Sequence, residues 1–323
     1  MSAERSSGTG AQNSWSLTYW IEGLTEEQYA YLMLVPAFAL VGAFAIWPLA
    51  ETLIMSLHAD SLAGRGYVGE FVGFENYVEL LTGGLDAVLG APFFSVQNPV
   101  QNALVITLIY ALVSVFLELL IGFGQALILD QSFRGRRWLR VAVLLPWAVP
   151  IAIQGMIFYL MFLPDVGFAT GILQSLGVFT STPFINTFDS MLIVILADVW
   201  KTSAFIALIV LAGLQSIDRD LYQVAKVAGA SRWQQFRYIT LPLVFPALLV
   251  ALLFRTIQAM RVFGIVETVS SCSTVPTLSC LVVGAFQSGR FATAAAVAFV
   301  TALIVGLVAA VYIVQYANIG EGS

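Results

Sequence analysis

Six stretches of this chain are each long and apolar enough to cross a lipid bilayer, and no motif constrains the fold as strongly. A spanning helix needs about 20 mostly apolar residues. The stretches lie at about 29–57, 100–129, 139–163, 191–214, 241–267 and 291–316. Only 10% of the 323 residues are charged, against roughly 25% in an ordinary soluble domain, so so long a chain could not solvate a globular surface. In hydrocarbon every backbone N–H and C=O must be satisfied internally, which spanning helices achieve. The predicted fold class is therefore an all-α polytopic membrane protein with about six transmembrane helices. Pro36 and Pro48 are expected to kink or shorten the first span, and Pro146 and Pro150 lie in the third.

The basic residues predict an orientation. Arg134, Arg136, Arg137 and Arg140 cluster between spans two and three, and Arg219, Lys226, Arg232 and Arg237 between spans four and five. Cytoplasmic loops carry the excess of Lys and Arg, so both loops, and with an even span count both termini, are expected inside the cell membrane. The polar segment 1–28 is read as a cytoplasmic N-terminal segment rather than a cleaved signal, with Trp15, Tyr19 and Trp20 at the interface, and 317–323 as a short tail. Segments 58–99, 164–190 and 268–290 fall outside, and within the first of them 72–81 has the pattern of a short amphipathic helix. A net charge of -5 argues against nucleic acid, which would call for a basic face.

Catalytic and metal chemistry find little here. His58 is the single histidine and has no ligand spacing around it. No G-x-x-x-x-G-K-[ST] phosphate-binding sequence occurs, so the chain is expected to hydrolyse nothing. Cys272 and Cys280 share the last external segment, where an oxidising compartment permits a disulfide.

Polar side chains inside spans are functional candidates because charge in hydrocarbon is costly. Arg255, Gln258 and Arg261 recur at three- and four-residue spacing and can share one helix face, which would line a pore or meet a partner subunit. Asn102, Gln154 and Trp200 are weaker candidates for the same pathway. Asp198 and Lys201, three apart, are expected to neutralise each other, with Asp198 to Arg255 as the alternative. Glu118 and Glu51 are candidates for burial.

The segment 221–242, LYQVAKVAGASRWQQFRYITLP, is a basic amphipathic stretch between two apolar spans. Tyr222, Ala225, Gly229 and Trp233 recur at helical spacing. Gly229 and Ala230 permit a turn or a close backbone approach, Trp233 and Phe236 offer aromatic anchors of the kind enriched at interfaces, and Leu241-Pro242 leads into span five. The residues alone allow either an interfacial anchor or a docking helix for a cytoplasmic partner.

Here the sequence resembles the permease subunits of ATP-binding cassette importers. Their loop signature, EAA, three residues, G, nine residues, I-x-LP, is matched in spacing by Gln223-Val224-Ala225, Gly229 and Ile239-Thr240-Leu241-Pro242. Gln223, Val224 and Ala228 replace the usual glutamate, alanine and aspartate. The stretches 132–150, 200–233 and 252–270 are similar to the first permease of maltose- and trehalose-type sugar importers. The resemblance implies a type I importer permease fold with a cytoplasmic coupling helix between spans four and five. It implies an ATPase-coupling role for Tyr222, Gln223, Ala225, Gly229, Ala230, Trp233, Phe236, Leu241 and Pro242. Implied partners are a second homologous permease, two cytoplasmic ATPase subunits that hold ATP and Mg, and an external solute-binding protein. The implied cargo is a di- or oligosaccharide, with a monosaccharide, polyol or glycerol phosphate as alternatives. An ion-coupled secondary sugar transporter is the rival class, although no internal repeat of the kind such folds use is evident.

Overall fold

The computed structural model describes residues 24–61, 68–95, 97 and 101–321. Trp15, Tyr19, Trp20 and Arg65 lie outside the described residues. The chain divides into two units, 1–54 and 55–323, and each is described by itself.

The first unit is one apolar helical span. Helix α1 (Glu26–Val41) starts at a capping box in which Thr25 and Gln28 satisfy each other's backbone N–H. A π-helical turn, Gly42–Ile46, joins it to α2 (Trp47–Ser56). The prolines do not break the span, which continues through Pro36 and Pro48 to Ser56. The widened turn has a local cause. Pro48 has no N–H, and its ring crowds the carbonyl four residues back; the turn immediately before it relaxes to i→i−5 bonding, with Trp47 N–H on the Gly42 carbonyl. Glu51 is exposed rather than buried.

The second unit is a helical bundle built around α9 (Thr187–Gln215), which packs against α5 (Ala103–Asp130), α6 (Arg136–Ala148), α7 (Ile151–Phe162), α12 (Leu241–Met260) and α13 (Gly264–Val269). Helix α8 (Phe168–Ser175) follows α7. Apolar side chains gain little by leaving lipid for a protein interior, so spanning helices associate where small residues let backbones approach. Gly122 on α5 faces the Ser203 carbonyl and Ile206 of α9 so closely that a Cβ there would lie 2.6 Å from the oxygen. At the opposite end of the bundle, α3 (Glu75–Thr82) and α4 (Asp86–Leu89) pack against α15 (Phe291–Glu321) and α14 (Leu278–Gln287) respectively. The expected amphipathic helix at 72–81 is α3. Asp60 caps α15, accepting from Ala292 N–H, Thr293 N–H and the Thr293 hydroxyl.

Two expected spans are discontinuous. The third is a pair, α6 and α7, bent by 94°. Val149, restricted by the following Pro150, is extended, and Pro150 sits at the N-cap of α7. The fifth does not run to residue 267. It stops at Met260 with Arg261 as its C-cap, and the chain re-enters a helix only at Gly264. Among the described residues five helices pass for spans, or six with the bent pair counted as one.

Candidate functional site: a cavity between two broken helices and the loop beneath them

The two helix breaks meet. Helix α7 packs on α13, and the breaks, together with the middle of α9, line a cavity of about 300 Å³. Trp147, Ile151 and Gln154 come from the first break, Arg261 to Ile265 from the second, Asp198, Lys201 and Thr202 from α9, and Arg255 and Gln258 from α12. Non-helical backbone at membrane depth is tolerated where it lines a cavity or is buried in protein.

Charge is organised around Arg255, which is 3% exposed. Its guanidinium donates to Glu118 on α5, with Nη2 to Oε1 at 2.8 Å, and also to Asp198 on α9. The Tyr110 hydroxyl donates to the same Asp198 carboxylate. One cation and two acids, drawn from three helices, are thus buried together. The expected Asp198–Lys201 pair does not form. Lys201 instead donates to the Val149 carbonyl at 2.8 Å. That acceptor is set free where α6 ends, and an unmet carbonyl in such a place is costly, so the lysine is committed to the break.

Of the six pathway candidates, Gln154, Arg255, Gln258 and Arg261 converge on this cavity. The Gln154 side chain is 1% exposed; its Nε2 donates to the Ala197 carbonyl, while its Oε1 has no partner. Asn102 and Trp200 do not line the cavity. Asn102 caps α5, accepting from Val105 N–H at 2.9 Å, and the Trp200 ring lies 5.8 Å from that of Phe158. Sequence reasoning missed Tyr110, Trp147 and Thr202. A tyrosine, tryptophan or threonine in a span carries no charge to signal it.

The loop beneath is an elbow, not one helix. Helix α10 (Arg219–Val227) is capped by Asp218, whose carboxylate accepts from Asp220 N–H. It ends in a turn where Gly229 has φ +80°. That left-handed conformation burdens any residue with a Cβ, and no other part of this chain lies within 4 Å of the position, so within the chain the glycine serves the turn. Gly229 and Trp233 therefore do not continue the face begun by Tyr222 and Ala225. After the elbow, α11 (Arg232–Gln235), capped by Ser231 and Gln234, runs through a second π turn, Phe236–Thr240, into α12. As at Pro48, the wide turn precedes a proline, here Pro242, with Leu241 N–H on the Phe236 carbonyl.

The coupling candidates divide by exposure. Trp233 is 66% exposed, and Gln223, Gly229, Leu241 and Pro242 are also on the surface. Phe236 is half-buried, packed edge-on against Phe123 of α5 with centroids 6.0 Å apart. The Tyr222 hydroxyl meets that of Thr240 at 3.0 Å and holds the two arms of the elbow together. Ala225 and Ala230 are half-buried. Arg219 makes two parallel hydrogen bonds to Asp130 at the end of α5, 2.8 and 2.6 Å. That carboxylate raises the guanidinium above its ordinary pKa. At the far end, Cys272 and Cys280 are bridged, and Thr277 between them donates to the Val262 carbonyl at the cavity's edge, 3.0 Å.

Residues 118–321 match the family described as binding-protein-dependent transport system inner membrane component. The chain is similar to the trehalose/maltose transport system permease protein MalF of Thermococcus litoralis, 34% identical over 285 residues covering 87% of this chain and 90% of the relative. It is also similar to the sulfoquinovosyl glycerol transport system permease protein SmoG of Agrobacterium fabrum, 36% identical over 248 residues, 77% and 75% of the two chains. Among solved structures, a chain of a bacterial transporter that imports the acidic polysaccharide alginate superposes with a TM-score of 0.72 at 21% identity, covering 90% of this chain and 95% of that one.

Proposed function

The chain belongs to the binding-protein-dependent transport system inner membrane components, and on that premise we propose that it forms half of the translocation pathway of an ATP-driven importer for a di- or oligosaccharide. The similarity to the trehalose/maltose permease across most of both chains carries this reading. A second permease would supply the other half of the pathway, an external binding protein would deliver the solute, and two ATPase subunits would hold ATP and Mg at the cytoplasmic face. The chain itself hydrolyses nothing. The elbow at 219–240 is the element that engages an ATPase, with Trp233, Gln223 and Val224 presented outward and Gly229 fixing the angle between its arms. Both termini are then cytoplasmic.

The cavity chemistry fits a polyhydroxylated solute. Gln154 Oε1 is a buried acceptor in need of a donor, which a sugar hydroxyl supplies, while Gln258 and Arg261 supply donors. A second reading, a solute that also carries an anionic group, is favoured by Arg261, which lines the cavity and makes no ion pair to a described residue.

The test is reconstitution of the chain with its second permease, ATPase and binding protein in proteoliposomes, followed by ATP-dependent uptake of trehalose, maltose, longer glucosides and a sulfonated or phosphorylated glycoside. Uptake of one saccharide with matching stimulation of ATP hydrolysis is expected. Saccharide uptake that persists without the ATPase, or no response to any saccharide, overturns the reading.

A further inference from the structure

Asp130 and Arg219 each stand against the polarity of their own helix. Asp130 is the last residue of α5, where the carbonyl end is partially negative, and Arg219 is the first of α10, where the amide end is partially positive. Neither placement helps the helix that carries it. What they make instead is a two-point bridge between the elbow and α5, with both terminal guanidinium nitrogens engaged. Such bidentate pairs fix geometry as well as charge.

The bridge adds to apolar packing, in which Tyr222 and Ile239 lie on the cluster that includes Ala126 and Leu129 of α5. Phe123 also meets Phe236, on the arm that runs into α12. So α5 grips both arms, and the α10 arm alone carries the charged pair. The same helix then passes Gly122, pressed against α9, and reaches Glu118, which holds Arg255 at the cavity. From Asp130 to Glu118 is twelve residues, about 18 Å along a helix.

We propose that Asp130 and Arg219 are positioning residues whose pair makes α5 a second carrier of elbow motion to the cavity, beside the covalent route through Pro242. It rests on the reading that the elbow engages an ATPase. With the pair intact, displacement of α10 pulls on α5 at its end, and Glu118 moves relative to Arg255 as the elbow moves. With the pair broken, α5 loses its charged hold on α10, and Glu118 no longer keeps step with Arg255 on the α12 wall of the cavity.

Physical intermediacy alone does not establish coupling, so the experiment reads transmission directly and needs no knowledge of the solute. In the assembled complex, Gln258→Cys on the cavity wall serves as a reporter for N-ethylmaleimide, read by mass spectrometry on this chain, whose own two cysteines are bridged to each other. The labelling rate is compared with and without ATP and vanadate. In the parent complex trapping changes the rate. Asp130→Asn and Arg219→Gln should each reduce that change at least threefold while capture of the ATPase is unaltered. The exchange Asp130→Arg with Arg219→Asp suits both helix dipoles, so it folds without penalty from them, and it should restore most of the change. Single variants that keep the full change, a swap no better than the singles, or singles that simply lose the ATPase each overturn the proposal. A parent complex that captures the ATPase but shows no change on trapping also overturns it, yet leaves the importer reading standing; a parent that captures no ATPase removes the reading itself.

Discussion

Arg255 on α12 donates two hydrogen bonds to Glu118 on α5, with the two side chains 3% and 0% exposed. The same arginine also reaches Asp198, so its removal would leave two carboxylates facing each other in a low-dielectric interior. Breaking a buried pair by deleting one partner typically costs about 3–5 kcal/mol. Arg255→Leu is expected at or above the top of that range and Glu118→Leu within it, since Asp198 still pairs the arginine. The triple change Glu118→Gln, Asp198→Asn, Arg255→Gln should recover much of the loss. Thermal unfolding of the detergent-solubilised chain checks this, and an Arg255→Leu protein that melts with the parent would contradict it.

Close helix approach gives a second expectation. Any Cβ at Gly122 meets a backbone carbonyl of α9, which cannot move aside as a side-chain tip would. Gly122→Val should destabilise by about 1–3 kcal/mol through overpacking. Gly124, two residues on, has nothing within 4 Å, so Gly124→Ala should be neutral or stabilising by up to about 1 kcal/mol. Equal effects at the two positions would refute the assignment of Gly122 to the contact.

The spans were legible because hydrocarbon demands long apolar helices, and the elbow because its glycine, basic residues and aromatics interrupt them. The breaks were not. Pro146 and Pro150 marked the third span as irregular, yet Pro36 and Pro246 lie inside continuous helices, so a proline alone does not announce a 94° bend. Lys201 shows the same limit. Its spacing from Asp198 favoured a local pair, whereas the carbonyl it satisfies belongs to a residue 52 positions away and exists as a free acceptor only because the helix breaks there. Asp198 is the partner that the sequence offers Arg255 as the alternative to Lys201, and that pair forms; that Glu118 supplies a second acid depends on how α5 packs.

The aromatic pair in the elbow should separate docking from stability. Trp233→Ala removes an exposed ring stacked on Phe236, with centroids 5.6 Å apart, and should cost no more than about 0.5–1.5 kcal/mol, while capture of the ATPase from the reconstituted complex is lost or greatly weakened. Phe236→Ala removes packing against Phe123 and should cost about 1–3 kcal/mol. Stability loss at Trp233 with docking intact would reverse the roles given to the two residues.

Gln258 and Lys201 both line the cavity, but only one is free to meet solute. Gln258 is exposed, so Gln258→Ala should raise the KM for uptake several-fold with little change in melting. Lys201→Met leaves the Val149 carbonyl without its donor, at a cost of about 1–3 kcal/mol, and should lower the melting temperature before it alters KM. Measured side by side, a KM effect confined to Lys201→Met would assign that lysine to the solute instead.

The Cys272–Cys280 bridge spans eight residues, and closing so short a loop restricts the unfolded chain by about 2–3 kcal/mol on the chain-entropy account. In the folded chain the bridged segment is tied to the bundle by Thr277 on the Val262 carbonyl, Leu278 N–H on the Thr107 hydroxyl, the Thr274 hydroxyl on the Phe184 carbonyl and Cys272 N–H on the Glu267 carboxylate. Because Val262 lines the cavity, loosening this segment reaches the solute site as well as the global stability. Cys272→Ser with Cys280→Ser should therefore lower the melting temperature, and reducing agent should do the same to the parent but not to the double variant. Reductant sensitivity that survives in the double variant would place the effect outside this bridge.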